Sequence, residues 1–129
     1  MNIPVQRNLK NQSLLRRFSF AAKGIYSAAL LENSFRTELV LATGYAALMV
    51  WLRPPLVWLG LSIITAGLVL AVELLNTALE HLADRLHPEQ HPAIGVAKDC
   101  AAAAVLVTSI TAAIIGALTV VVSLGILHP

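Results

Sequence analysis

The residues best suited to chemistry stand between Glu73 and Arg85, where the chain reads ELLNTALEHLADR. At about 100° per residue on a helix, and with Glu73 taken as zero, Asn76 falls near −60°, Glu80 near −20° and Asp84 near +20°. Leu74, Leu75, Leu79 and Leu82 lie off this stripe, so the helix carries one acidic face on a greasy body. The stripe directly follows Pro54 to Val72, a run without Asp, Glu, Lys or Arg. Carboxylates next to such a run are costly unless paired, solvated or bound to a cation, so a functional site is the first hypothesis.

Clustered carboxylates suit the hard cation Mg²⁺, which is usually held by one or two protein carboxylates together with substrate phosphates. Lys98 and Asp99 lie nearby in the expected layout, and the Lys98 ammonium suits phosphate charge. A carboxylate left free of metal can accept the proton of an attacking hydroxyl. Phosphoryl transfer is the reaction class that uses all of these parts. The chain contains neither a GxxxxGKS/T loop nor the HRD and DFG motifs of protein kinases, which excludes those soluble kinase folds.

The elements that must position these residues follow from composition. The chain has 129 residues, 57% of them hydrophobic and 12% charged, with a mean hydropathy of +0.76. That is too apolar for a soluble domain of this size and predicts an all-α integral membrane protein. Charge-free runs at Leu39–Leu52, Pro54–Val72 and Cys100–Leu127 mark three spans. With their polar ends included, the spans are expected at about 35–52, 56–86 and 94–127. Arg53-Pro54-Pro55 closes the first hairpin, because paired prolines cannot continue a helix. The second helix, entering at about Leu56, reaches Glu73 close to the far edge of the hydrocarbon layer.

Ahead of the spans, residues 13–31 read as an amphipathic surface helix. Leu14, Phe18, Ala22, Ile25 and Ala29 share one arc and Arg16, Lys23 and Ser27 the other, with Ser13 in the N-cap position and Phe20 and Leu31 off the apolar arc. Glu32-Asn33-Ser34 is expected to interrupt this helix, with Asn33 or Ser34 capping the next. Residues 1–12 are expected to be mobile, and 13–129 to form one membrane domain. Three short spans make a thin bundle, and the small residues Ala101–Ala104, Ala112, Ala113, Gly116 and Ala117 favour close packing, so homo-oligomerisation is expected.

Lys and Arg are distributed unevenly. Arg7, Lys10, Arg16, Arg17, Lys23 and Arg36 precede the first span, Arg85 and Lys98 flank the second loop, and Arg53 alone lies in the first. The positive-inside rule then places the N-terminus and the second loop in the cytoplasm and the C-terminus outside. Glu32, Glu38, Glu73, Glu80 and Asp99 thereby converge with Arg16, Lys23, Arg36, Arg85 and Lys98 on one membrane surface. No Asp or Glu lies deep in a span, which disfavours a small transporter. Nucleic acid is not expected as a partner, since no aromatic stacking platform accompanies the basic residues. The lone Cys100 excludes an intrachain disulfide and a thiolate metal site. His87 and His91 are separated by Pro88, which argues against a metal pair on one helix. A cleaved signal peptide is not expected, because six basic side chains precede the first apolar run.

The run Glu73-Leu74-Leu75-Asn76-Thr77-Ala78-Leu79-Glu80, then Asp84-Arg85, Ala97-Lys98-Asp99 and Ala103-Ala104-Val105-Leu106, resembles the small prokaryotic diacylglycerol kinase family. Lys23-Gly24, Glu32, Phe35-Arg36 and Glu38 match the same family in order and spacing, and the resemblance covers about Arg16 to Val120. It implies a homotrimer in the bacterial inner membrane that phosphorylates a lipid alcohol with MgATP. Diacylglycerol is the favoured substrate, and undecaprenol is the alternative within the family. Carried over by position, Glu73 corresponds to the catalytic base and Asn76 to a polar residue beside it. Glu32 and Glu80 correspond to the magnesium carboxylates. The ATP contacts would be Phe20, Glu32, Glu80, Glu89, Gln90, His91, Lys98 and Asp99, and the lipid contacts Ser34, Phe35, Arg36, Glu38 and Glu73. The chain departs from the family at Ser13, where some members have a nucleotide-contacting arginine, and at Phe20, Ala22 and Leu31, where tyrosine, tryptophan and asparagine are found.

Overall fold

The computed structural model describes residues 13–89 and 91–126. Residues 1–12 and Gln90, for which mobility and an ATP contact were expected, lie outside them. Among the described residues the chain is all-α: α1 is Leu14–Leu31, α2 Asn33–Leu52, α3 Leu56–Leu86 and α4 Pro92–Ser123. The last three are long and apolar enough to cross a membrane. At 1.5 Å per residue α2 is about 30 Å long and α3 and α4 more than about 45 Å, so the latter pair outreach a hydrocarbon core of ~30 Å.

The joints between helices differ in part from expectation. Only Glu32 separates α1 from α2; its backbone is extended (φ −109°, ψ 117°), and it serves as C-cap of one helix and N-cap of the next. Its N–H donates to the Ala28 carbonyl at 2.9 Å, and its own carbonyl accepts from Arg36 N–H at 3.2 Å. The expected three-residue break is therefore a single-residue hinge, and Asn33 is helical. Asn33 Oδ1 accepts from the Arg36 guanidinium within α2 instead of capping it. Ser13 occupies the N-cap of α1 without a side-chain capping bond.

Arg53 ends α2 in the left-handed region (φ 49°) and returns its N–H to the Met49 carbonyl at 2.9 Å. Pro54 and Pro55 follow, and α3 starts at Leu56. The last span begins at Pro92 and not at 94: proline at N1 surrenders no helical hydrogen bond, and His91 Nδ1 caps the helix by accepting from Ala93 N–H at 3.2 Å. It also stops at Ser123 and not at 127. Gly125 (φ 71°) donates to Val122 and Ile126 donates to Val121, the paired bonds by which a left-handed glycine closes a helix.

α3 packs chiefly on α4, α2 lies against α3, and α1 touches both α2 and α3. The buried apolar set is small: Ala28, Phe35, Met49 and Val69. Polar groups reinforce it. Tyr45 Oη and Ser62 Oγ are 2.8 Å apart, Ser62 Oγ and Thr119 Oγ1 3.1 Å, and Thr119 also donates to the Ile115 carbonyl at 2.8 Å. This chain of hydroxyls ties α2, α3 and α4 in mid-span, where no water is available to replace it. Gly116 admits the Tyr45 ring, whose Cε2 would lie 3.4 Å from any Cβ at that position. Large side chains such as Leu56, Trp51 and Ile64 point outward and are mostly exposed. One chain alone thus leaves most of its apolar surface to be covered by lipid or by other chains.

Candidate functional site

Glu73 lies on α3 about 26 Å by helical rise from Leu56, at the far end of the charge-free stretch. Its residue is only 4% exposed. A buried carboxylate at that depth is held by the packing of α3 against its neighbours, since the side chain leaves the helix on the inward face together with Val69. Glu80 and Glu32 act on it electrostatically, and Glu73 in turn acts on Glu38. Glu73 thus stands at the centre of three carboxyl neighbours, Glu32 at the hinge, Glu38 on α2 and Glu80 on α3, each near enough to act on it or be acted on by it.

One turn on, Asn76 Nδ2 donates to Glu80 Oε1 at 3.2 Å. Asn76 Oδ1 is buried without a hydrogen-bond partner, and so is Glu38 Oε2. Buried unpaired acceptors are uncommon and mark places where a ligand can complete the bonding. Glu38 also stands in the wall of a cavity of about 440 Å³ between α2, α3 and α4, which runs past Tyr45 and Ser62 to Gly116 and Val120 and is lined almost entirely by apolar atoms. A carboxylate at the edge of an apolar cleft can meet a molecule with a polar head and a greasy body.

Farther along α3, Lys98 Nζ of α4 lies 2.6 Å from Asp84 Oδ1. The expected grouping of Lys98 with Asp99 thus has an additional partner: Asp84 engages the ammonium, Glu80 acts on it electrostatically, and Asp99 is exposed. Glu89, His91 and Lys98 border a second cavity of about 460 Å³ beneath the loop from α3 to α4, together with Asp84 and His87. His87 ends α3 and His91 begins α4, so the two share no helix.

The other expected positions are more scattered. Phe20 is half-buried on α1. Ser34 and Arg36 are exposed on the first turns of α2, whereas Phe35 is 2% exposed and belongs to the core. Sequence reasoning missed His81. Its Nε2 lies 2.8 Å from Glu32 Oε1, bonding the hinge to α3. The residue stands in the EH pair at the middle of the acidic stripe, but nothing in its spacing points to a partner 49 residues away. No group of three or more His, Cys, Asp or Glu among the described residues is disposed to hold a metal by itself.

With this geometry in view, the comparisons with known proteins agree with one another. The family model described as prokaryotic diacylglycerol kinase matches residues 19–120. The diacylglycerol kinase of Escherichia coli K12 is 35% identical over 101 residues, covering 78% of this chain and 83% of that protein. The undecaprenol kinase of Bacillus subtilis 168 is 32% identical over 113 residues, covering 87% and 90%. The diacylglycerol kinase of Haemophilus influenzae is 35% identical over 94 residues, covering 73% and 80%.

Proposed function

Because the chain belongs to the prokaryotic diacylglycerol kinase family, and is thereby a lipid kinase of the membrane, we propose that it transfers the γ-phosphoryl group of ATP to diacylglycerol, yielding phosphatidic acid. The observation that carries this reading is the position of Glu73: buried at the end of a charge-free stretch, with Asn76 and Glu80 on the same helix face leading away from it. A lipid hydroxyl lies at that depth, and Glu80, about 10 Å farther along the helix, lies where a water-borne nucleotide can reach.

In this mechanism Glu73 takes the proton of the lipid hydroxyl as its oxygen forms the bond to the γ-phosphorus. The bond to the β-γ bridging oxygen breaks, and ADP leaves with that electron pair. Glu38, with Ser34 and Arg36 nearby on α2, orients the lipid head, and Phe35 supports them from the core. Phe20, Glu89, Gln90, His91, Lys98 and Asp99 hold the nucleotide; Lys98 must exchange Asp84 for phosphate oxygen as ATP arrives.

Mg²⁺ suits the donors available. Glu32 and Glu80 each have one oxygen engaged, by His81 and Asn76 respectively, which leaves the other for a cation. Two carboxylates completed by phosphate oxygens are the usual magnesium arrangement, so no larger protein cluster is required. The ion, when bound, neutralises charge on the transferring phosphoryl group.

In this reading the protein sits in the bacterial inner membrane with its N-terminus, the loop between α3 and α4 and the active site on the cytoplasmic side, as the distribution of Lys and Arg supports, and its C-terminus outside. α1 lies on the cytoplasmic surface. Three chains assemble so that each covers apolar surface the others leave bare, and the sites are shared between neighbours. Residues 13–129 act as one membrane domain.

A second reading, undecaprenol as the substrate, is favoured by one observation: the match to the Bacillus subtilis undecaprenol kinase spans more of this chain than the match to the Escherichia coli enzyme, 87% against 78%. Turnover on both lipids in mixed micelles with labelled ATP, with and without Mg²⁺, tests both readings. Faster Mg²⁺-dependent turnover of diacylglycerol is expected. Faster turnover of undecaprenol would transfer the assignment to that lipid, and turnover without a divalent cation would remove the Glu32 and Glu80 roles.

A further inference from the structure

We propose that His81 is a positioning residue that fixes the Glu32 carboxylate in the orientation in which it receives the metal–nucleotide complex. This rests on the reading of Glu32 and Glu80 as the magnesium carboxylates.

Glu32 is the one non-helical residue between α1 and α2, and its backbone bonds constrain the main chain but not the side chain. A glutamate on such a hinge has several freely turning bonds, and ordering them costs conformational entropy each time a ligand binds. The bond to His81 removes that freedom beforehand. With Glu32 ionised the carboxylate only accepts, so the Nε2–H of His81 is the donor at 2.8 Å.

The geometry of α3 gives the contact its significance. His81 directly follows Glu80, and successive helical residues diverge by about 100°, so one residue joins the Glu73–Glu80 stripe while the next turns toward the hinge. A single turn of α3 therefore supplies one carboxylate itself and grips the other through its neighbour. The pair stands at the edge of a cavity of about 510 Å³ between α1 and α3, lined mainly by small and apolar residues such as Gly24, Ala28 and Ala78. Ser27 and Thr77 bring hydroxyls to the same lining, but the side chain that bonds the Glu32 carboxylate is His81. The His81 side chain is 58% exposed, so core packing does not account for its placement, and its removal leaves the buried set intact.

Hydrogen-bonding groups behind a ligating carboxylate typically contribute 10- to 100-fold to metal affinity. The test is a titration of Mn²⁺ with a non-hydrolysable ATP analogue, followed by electron paramagnetic resonance on the full chain in detergent without lipid substrate. His81→Ala is expected to bind the metal–nucleotide pair about 10- to 100-fold more weakly, and His81→Gln, which retains a side-chain N–H donor, to stay near the parent. In turnover assays His81→Ala raises the KM for MgATP and leaves the KM for the lipid and the unfolding midpoint in place. If alanine moves the midpoint, the contrast between His81→Leu and His81→Gln, which differ in the donor, decides the matter. Parent affinity in His81→Ala alongside lost affinity in Glu32→Ala would overturn the role of His81 alone. Parent affinity in both variants would overturn the metal assignment of Glu32 and this role with it.

Discussion

Asn76 and Glu80 are joined across one turn of α3 by an Nδ2–Oε1 hydrogen bond of 3.2 Å, while the other side-chain atom of Asn76, Oδ1, is buried and unpaired. The amide thus restrains the carboxylate assigned to metal and keeps a buried acceptor free. Asn76→Leu, similar in bulk, removes both functions. It is expected to lower kcat about 10- to 100-fold, the usual cost of losing a group behind a metal ligand, with the unfolding midpoint kept. Steady-state kinetics with MgATP and lipid varied in turn check this, and a kcat within twofold of the parent would count against the role.

Lys98 is held by Asp84 at 2.6 Å, but the two side chains remain 32% and 67% exposed. An ion pair that open to water adds little to folding, so its significance lies in what Lys98 does when a phosphate competes for it. Lys98→Met is expected to raise the KM for ATP by about tenfold or more, the loss of one charge-assisted hydrogen bond. Asp84→Asn frees the ammonium and is expected to lower that KM while the unfolding midpoint stays put. A KM raised equally by both substitutions would mean that the pair acts as one unit.

The hydroxyl chain from Tyr45 through Ser62 to Thr119 predicts a stability effect with no catalytic one. Ser62 is 2% exposed and sits between the other two. Ser62→Ala breaks both of its bonds at once, and interhelical hydrogen bonds of this kind in membranes contribute about 0.6 kcal/mol on average and about 1.7 at most. A loss of about 1–2 kcal/mol in detergent unfolding is expected, with a smaller loss for Tyr45→Phe, which leaves the Ser62–Thr119 bond in place. An unfolding free energy equal to the parent's would mean that the network holds nothing together.

Much of the architecture was legible because it rests on one-dimensional signals. Charge-free runs mark where the spans must lie, Arg53-Pro54-Pro55 marks a break, and the 3.6-residue period turns Glu73, Asn76 and Glu80 onto one face. The end of α4 was not legible: the apolar run continues to Leu127, whereas the helix stops at Ser123 and Gly125 in the left-handed region closes it. The start of α4 was misplaced by two residues, because Pro92 reads as a breaker and equally as an N1 residue. What escaped notice are contacts across long sequence separations. His81 with Glu32, Asp84 with Lys98 and Ser62 with Thr119 depend on how helices face one another. Single polar residues within apolar runs carry no spacing that names a partner. For the same reason the hinge shrank from three residues to Glu32 alone: Asn33 and Ser34 have capping chemistry, but packing of Phe35 into the core draws them into α2.

The decisive step of the proposed mechanism is transfer of the lipid hydroxyl proton to Glu73. It is most directly tested by kcat in Glu73→Gln, which keeps the size of this 4% exposed side chain and removes only its basicity. A fall in kcat of about 10²- to 10⁴-fold is expected, with the unfolding midpoint and the binding of nucleotide and lipid unchanged. A Glu73→Gln enzyme turning over at the parent rate would contradict it.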